Sequence, residues 1–189
     1  GFTGTTNLDA IATATAEGSG KLAIIMGVIF ALSGFCFKIA AVPFHQWVPD
    51  TYEGAPTPVT AFMSVGPKTA SIGVLVRILL VAFPSFLSYW RILFIILSIL
   101  SMFTGNLLAL SQTNIKRMLA YSTIAHAGYM IMGLAINSKF AITCILLYAF
   151  IYTFMNMGAF GVIIAISHNE SAEEIENYES EFARDNENK

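Results

Sequence analysis

Long uncharged apolar segments constrain the fold of this chain more than any other feature of its sequence. Residues 22–37 contain no charged side chain, and four further apolar segments follow. A helix needs roughly 20 consecutive apolar residues to cross the hydrocarbon core of a bilayer. With 56% hydrophobic and 12% charged residues in a chain of 189, one soluble core could not bury this much apolar surface. The sequence therefore predicts an all-α, polytopic transmembrane helix bundle.

The chain is expected to divide into one transmembrane domain with polar ends. Five spans are predicted within the domain of residues 21–167, at about 21–48, 57–83, 90–110, 118–136 and 140–166. Residues 1–20 are small and polar, which favours an exposed loop with one short helical turn around 8–15. Residues 168–189 hold two basic and eight acidic side chains, which is typical of an extramembrane loop or helix. A turn-rich connector is expected at 49–56.

Two lysines fall within apolar segments, where a charge is costly. They are Lys38 and Lys68. An ionisable residue at bilayer depth usually faces the bundle interior or a hydrated cavity, and it indicates function. Because loss of hydration favours the neutral amine, such a lysine can take up and release a proton. A lysine near a helix end can instead extend to the lipid headgroups, but two of them beside prolines favour a proton relay.

Prolines stand close to both lysines. Pro43 lies five residues after Lys38, and Pro67 directly precedes Lys68. Proline removes a backbone hydrogen bond and frees a carbonyl in the preceding turn. Broken helices at membrane depth are tolerated where they line protein or water, and they commonly mark ion sites. Pro43 and Pro67 are therefore predicted helix breaks.

Polar side chains at helical spacing form stripes on three of the predicted spans. The stripes are Thr60, Ser64, Lys68 and Ser71 on the second span, Ser122, His126 and Tyr129 on the fourth, and Tyr148, Tyr152 and Asn156 on the fifth. Histidine titrates near neutral pH, so His126 is a candidate proton carrier, although a lone helical histidine more often serves packing. The fifth-span stripe is typical of interhelical hydrogen bonds, and we assign it to packing.

Motifs for other chemistries are missing from the sequence. Cys36 and Cys144 lie in apolar runs and are predicted to be small buried hydrophobic residues. The sequence has no CxxC, no HExxH and no glycine-rich nucleotide loop, so we predict no cofactor and no metal on this chain. Two cysteines cannot ligate an iron-sulfur cluster that ordinarily requires four. No targeting peptide is visible, and the chain is expected to be a fragment.

Three motifs resemble a known family. They are VPFHQWVPDTYEGAPTPVTAF, SVGPKTA and GNLLALSQTNIKRMLAYSTIAHAGYMIMGL. Together they resemble the antiporter-like, proton-conducting membrane subunits of respiratory complex I, the NADH-quinone oxidoreductase, and the similarity extends over residues 1–168. The resemblance implies part of a fourteen-helix fold with two inverted repeats, which couples quinone reduction elsewhere in the enzyme to proton pumping.

The resemblance also implies roles for individual residues. Lys38 falls on the lysine of the family's broken seventh helix, and Lys68 falls on the lysine of the eighth helix that connects two half-channels. His126 matches a recurrent histidine of the tenth helix. The family's proton path further uses a carboxylate on helix five, paired with the helix-seven lysine, and a lysine on helix twelve. Neither lies within this chain, so Lys38 is expected to lack its partner here.

The cofactors and partners implied by the resemblance lie outside this chain. NADH, FMN, the iron-sulfur clusters and quinone are expected in other subunits of the assembly. The expected partners are other membrane subunits of complex I, especially the neighbouring antiporter-like ones, together with the lipid bilayer and protons. No nucleic acid is expected. The predicted location is the bacterial inner membrane.

Two alternative functions are retained. A subunit of a multi-subunit Na⁺/H⁺ antiporter shares the fold and the broken helix but has no redox partner. The VPDTYEGAPTPV segment resembles the complex I subunits more closely than the antiporter proteins, which favours the oxidoreductase. The second alternative is a truncated membrane scaffold that holds neighbouring subunits and moves no ion.

Overall fold

The computed structural model describes residues 4–16, 21–136 and 138–187, and every regular element in these ranges is helical. The α-helices are α1 Leu8–Ala16, α2 Lys21–Ile39, α3 Trp47–Gly54, α4 Thr57–Arg77, α5 Leu87–Leu110, α6 Ile115–Ile136 and α7 Lys139–Glu187. A π-helical turn, Ile78–Ala82, extends α4, and a 3₁₀ turn, Pro84–Phe86, precedes α5. Five described segments are long and apolar enough to cross a bilayer. The predicted all-α transmembrane bundle is confirmed.

Helices α5 and α6 approach each other closely because glycines line their contact. A Cβ atom added to Gly105 would lie 2.5 Å from the backbone nitrogen of Ala125, and one added to Gly128 would lie 2.9 Å from Met102 Cγ. The Ser98 hydroxyl also donates a 2.8 Å hydrogen bond to the Gly128 carbonyl. Small residues that let two backbones meet are the usual basis of helix association in membranes.

The helix is interrupted between α2 and α3, within the predicted span of residues 21–48. Helix α2 ends in a Schellman motif: the Ala40 N–H donates to the Phe37 carbonyl and the Ala41 N–H donates to the Cys36 carbonyl. Ala40 has a φ of 65°, in the left-handed region that usually requires glycine. The last helical residue is therefore Ile39, and the left-handed Ala40 that terminates the helix lies three residues before Pro43.

The segment after the break is held by side chains. The Val42 N–H donates to the Ser101 hydroxyl over 2.9 Å, and the Trp47 indole N–H donates to the Phe37 carbonyl over 3.0 Å. Helix α3 then occupies most of residues 49–56, where a turn-rich connector was expected. Pro49 fits this helix because the first N–H groups of a helix have no intrahelical acceptor.

Pro67 does not break α4, which corrects the prediction. The helix is continuous from Thr57 to Arg77 with Pro67 inside it. Proline costs the helix one backbone hydrogen bond, but nearby hydroxyls add others. Ser71 donates to the Pro67 carbonyl over 2.6 Å, and Tyr152 of α7 donates to the Ser64 carbonyl over 3.2 Å. Side chains and neighbouring helices commonly stabilise prolines in membrane helices in this way.

Helix α7 continues well beyond the fifth span. It has 49 residues and is therefore about 70 Å long at 1.5 Å per residue. The apolar segment ends near Asn169. The whole helix is thus longer than the hydrocarbon core of a bilayer, which is about 30 Å thick. Of the two forms expected for residues 168–189, a loop or a helix, the described part is helical through Glu187.

Candidate functional site

Lys68 is buried at the centre of the described bundle. Its side chain is 2% exposed, and its Nζ donates a 3.0 Å hydrogen bond to the Thr123 carbonyl of α6. The polar side chains that share its stripe on α4 are buried as well: Thr60, Ser64 and Ser71. The predicted stripe thus faces the interior of the bundle, and Lys68 is its one ionisable member.

Two buried tyrosines meet at Thr123, beside this lysine. Tyr52 comes from α3 and Tyr152 from α7, and the exposed fractions of their side chains are 0% and 1%. Both phenols interact with the side chain of Thr123. The Tyr152 hydroxyl donates to the Ser64 carbonyl, one turn before Lys68 on α4. Thr123 therefore contacts Lys68 through its carbonyl and both tyrosines through its side chain.

His126 lies one turn after Thr123 on α6, inside a group of aromatic rings. Its ring centroid is 5.2 Å from that of Tyr152, 5.6 Å from that of Tyr129 and 5.9 Å from that of Tyr148. Its Nδ1 atom lies 2.6 Å from the Tyr148 hydroxyl, and the tautomer of the ring decides which group donates. The structure brings Lys68 and His126 into one polar cluster.

The polar cluster reaches the outside of the bundle through Tyr129. The Asn106 amide of α5 donates a 3.0 Å hydrogen bond to the Tyr129 hydroxyl, and Asn106 is exposed. At the other end of the α7 stripe, Asn156 is 4% exposed, and its Nδ2 atom has no hydrogen-bond partner among the described residues. The polar cluster thus extends from buried Lys68 to an exposed amide, with ring contacts rather than a continuous hydrogen-bond chain at His126.

The sequence interpretation assigned Tyr148 and Tyr152 of α7 to interhelical hydrogen bonds and packing, and the structure shows such bonds. Tyr148 pairs with His126 of α6, and Tyr152 donates to the Ser64 carbonyl of α4. Their four-residue spacing gave a signal, because it places them on one helix face. What the spacing could not supply is the identity of the helix that this face contacts.

Lys38 lies outside this cluster. It is exposed in the last turn of α2, and no hydrogen bond or ion pair reaches it among the described residues. The residues that share its face of α2 are small and exposed as well: Ala23, Gly27, Ala31 and Gly34. A different face of α2 carries the apolar side chains that pack into the bundle.

A charged group ties α3 to the start of α6. One Arg117 nitrogen lies 2.8 Å from both an Asp50 oxygen and a Glu53 oxygen, and Lys116 donates to the carbonyls of Glu53 and Ala55 over 3.2 and 2.9 Å. Water screens these exposed ion pairs, so they contribute little to stability. Their positions nevertheless fix α3 against α6, and so they place the Tyr52 ring beside Thr123.

Similarity to known proteins extends over nearly the whole chain. Residues 1–183 match the family described as NADH:quinone oxidoreductase/Mrp antiporter, transmembrane. NADH-quinone oxidoreductase subunit N of Trichlorobacter lovleyi is 52% identical over 168 residues, which cover 88% of this chain and 34% of that protein. Subunit N of Moorella thermoacetica is 48% identical, with 94% and 37% covered. NAD(P)H-quinone oxidoreductase subunit 2 of Acaryochloris marina is 46% identical, with 96% and 35% covered.

A solved structure has the same fold. The Mrp complex from Dietzia sp. DQ12-45-1b contains a chain that matches with a TM-score of 0.77 and 24% identity, over 87% of this chain and 30% of that one. The chain studied here spans about a third of the length of the curated relatives it matches. The match to the family model nevertheless covers residues 1–183 of 189. The chain therefore belongs to the NADH:quinone oxidoreductase/Mrp antiporter transmembrane family.

Proposed function

We propose that this chain is part of a proton-translocating membrane subunit of NADH-quinone oxidoreductase, in which Lys68 and His126 carry protons within the membrane. The observation that carries the proposal is a lysine 2% exposed in the centre of a membrane bundle. The names of the relatives at 46 to 52% identity, which are all subunits of quinone oxidoreductases, support the choice of enzyme.

Lys68 is suited to hold and release a proton. The Thr123 carbonyl accepts from its Nζ, so the ammonium form has one fixed acceptor, while burial favours the neutral amine. A charge arriving on a neighbouring group can therefore shift the balance between the two forms. His126 lies on the same helix as Thr123, one turn away, and can accept or supply the proton at the next step.

Lys38 takes the role of a second carrier whose partner lies outside this chain. An unpaired ammonium at membrane depth is costly, and the family resemblance supplies a carboxylate from helix five of the complete subunit. The small face of α2, with Gly27 and Gly34, supports this assignment, since neither glycine has an atom within 4 Å of the site its Cβ would occupy. Another helix can therefore approach α2 closely and bring its carboxylate to Lys38.

The same proposal gives the position of the chain in its membrane and its assembly. Residues 21–167 form the transmembrane domain, and residues 1–20 and 168–189 lie outside the hydrocarbon core. The membrane is the bacterial inner membrane, and the partners are the other membrane subunits, including neighbouring antiporter-like ones. NADH, FMN, iron-sulfur clusters and quinone are bound by other subunits.

Substitution in the complete subunit, within the assembled enzyme, tests the proposal. We expect Lys68→Ala and Lys38→Ala to lower quinone-linked NADH oxidation and the number of protons moved per electron. Lys139→Ala is the matched control, because Lys139 is exposed at the start of α7. NADH oxidation with an artificial acceptor measures how much enzyme has assembled. If all three variants pump like the wild type, neither lysine carries protons.

The antiporter alternative is tested separately. The fold shared with the Mrp complex is compatible with both functions, because that likeness is at the level of the fold. Sodium-dependent proton flux in vesicles that lack NADH would identify an antiporter. If cells grow equally well on respiratory substrates after both lysines are replaced by neutral residues, the chain is a scaffold.

A further inference from the structure

We propose that Tyr152 is the relay residue that passes a proton between Lys68 and His126. The proposal rests on the function proposed above and adds a residue to it. Tyr152 is distinguished by its contacts: it hydrogen-bonds beside Lys68 and its ring also contacts His126.

Lys68 and His126 are not joined by any hydrogen bond among the described residues. The Lys68 amine donates to the Thr123 carbonyl over 3.0 Å. The imidazole Nδ1 atom pairs instead with Tyr148, 2.6 Å away. A proton that leaves Lys68 therefore needs an intermediate group to reach the imidazole.

Tyr152 contacts the surroundings of both residues. Its hydroxyl donates to the Ser64 carbonyl over 3.2 Å and interacts with the side chains of Asn156 and Thr123, and its ring lies 5.2 Å from that of His126. Tyr152 is 1% exposed, so bulk water does not compete at this position. In the described conformation the hydroxyl is held on the Ser64 carbonyl, and the relay is disconnected.

Movement of the side chains connects the relay, because no hydrogen bond joins Tyr152 to Lys68 or to His126 among the described residues. The Tyr152 hydroxyl leaves the Ser64 carbonyl and approaches Nε2 of His126, while the Lys68 amine leaves the Thr123 carbonyl and approaches the phenol oxygen. For Nε2 to accept, the neutral ring carries its proton on Nδ1, which then donates to the Tyr148 hydroxyl oxygen. The geometry of the Nδ1 contact is compatible with this tautomer.

The proton step balances without any redox change. The Lys68 ammonium gives one proton to the Tyr152 oxygen as the hydroxyl proton of Tyr152 passes to Nε2 of His126. The products are a neutral amine, an intact phenol and an imidazolium, and no phenolate accumulates. The reverse sequence moves the proton back to Lys68. The hydroxyl then returns to the Ser64 carbonyl, which prevents an immediate second transfer.

The neighbouring tyrosines do not share this position. Tyr52 is equally buried and interacts with Thr123, but it makes no ring contact with His126 among those the structure describes. Tyr148 binds the Nδ1 side of the imidazole, away from Nε2. Tyr52 is therefore a matched control for Tyr152: the same residue type, similarly buried, beside the same threonine.

The test compares Tyr152→Phe and Tyr52→Phe in the complete subunit within the assembled oxidoreductase, with Lys68→Ala as reference. Phenylalanine keeps the ring packing and removes only the hydroxyl. Proton translocation is measured in membrane vesicles in H₂O and D₂O, and oxidation of NADH by an artificial acceptor normalises for the amount of assembled enzyme. The ratio of the two translocation rates reports whether a proton step limits turnover.

We expect Tyr152→Phe to lower proton translocation at least about tenfold, as loss of a positioned proton-transfer group does, and to raise the H₂O to D₂O ratio. Tyr52→Phe removes a hydroxyl from the same site without a contact to His126, so it should lower translocation less than Tyr152→Phe does and leave the ratio unchanged. Equal losses in both variants with unchanged ratios, or a Tyr152→Phe enzyme that pumps normally while Lys68→Ala does not, overturn the relay alone. Normal pumping by Lys68→Ala overturns the proposed function and the relay with it.

Discussion

At the scale of single residues, Ala40 has the least usual backbone. Its φ of 65° costs a residue with a side chain about 1 to 2 kcal/mol, and its methyl group is fully buried. The Schellman hydrogen bonds and the packing of that methyl group offset the cost. An alanine at this position gives no signal in the sequence, because the usual signal for such a helix end is glycine.

Ala40→Val should destabilise the subunit by about 2 kcal/mol or more, because a β-branched side chain is a genuine outlier at positive φ. Ala40→Gly should be nearly neutral: relief of the backbone strain offsets the lost methyl group and the greater freedom of the unfolded glycine. Thermal unfolding of the purified subunit measures both changes. Ala165→Val, at an exposed helical position, is the control, and equal effects of the two valine substitutions would contradict the argument.

The candidate site was partly predictable from its residues. Lys68 and His126 were found from the sequence because ionisable side chains are rare in apolar spans, and the structure brings them together. Tyr152 was assigned to packing because a tyrosine fits a buried interface without any special chemistry. Only the three-dimensional arrangement gives it two polar neighbours.

At the scale of the elements, the five spans followed from apolar length, but their interruptions did not. Pro43 and Pro67 gave the same signal for a break. The actual break lies at Ala40, while α4 runs through Pro67. The helical position of Pro49 was also missed, since a proline in the first turn of a helix and a proline in a turn look alike in sequence.

The contact between α5 and α6 predicts the effect of a small substitution. Gly105→Ala should destabilise the subunit by about 1 to 3 kcal/mol, the usual range for overpacking. The new Cβ would approach backbone atoms of Ala125 and Tyr121 at 2.5 to 2.9 Å, and backbone cannot move aside as a side chain can. Resistance to thermal unfolding is the measurement.

Gly161→Ala is the control for this contact, because no atom lies within 4 Å of the site its Cβ would occupy. It should be neutral or slightly stabilising, since alanine favours a helix over glycine by about 0.5 to 1 kcal/mol. A Gly105→Ala subunit as stable as the Gly161→Ala subunit would show that α5 and α6 do not meet closely in the native protein.

At the scale of the whole molecule, two of the described helices, α7 and α2, present exposed faces of different kinds. Beside Gly158 on α7, the exposed side chains Phe154 and Val162 are large and apolar, which is typical of a face towards lipid. The face of α2 that ends in Lys38 is instead small, with Gly34 one turn before the lysine. A small face that ends in a charge is suited to another helix, since lipid tails neither require close approach nor pair with an ammonium.

Gly34→Leu in the complete subunit should therefore separate α2 from the helix that covers it. We expect lower thermal stability and, because the carboxylate proposed to face Lys38 would be displaced, slower proton translocation than in the wild type. Gly158→Leu adds the same bulk at a site that also has no atom within 4 Å of its Cβ position, and it should leave both quantities unchanged. If Gly34→Leu behaves like Gly158→Leu, the small face of α2 meets lipid, and Lys38 must obtain its partner by reaching towards the membrane surface.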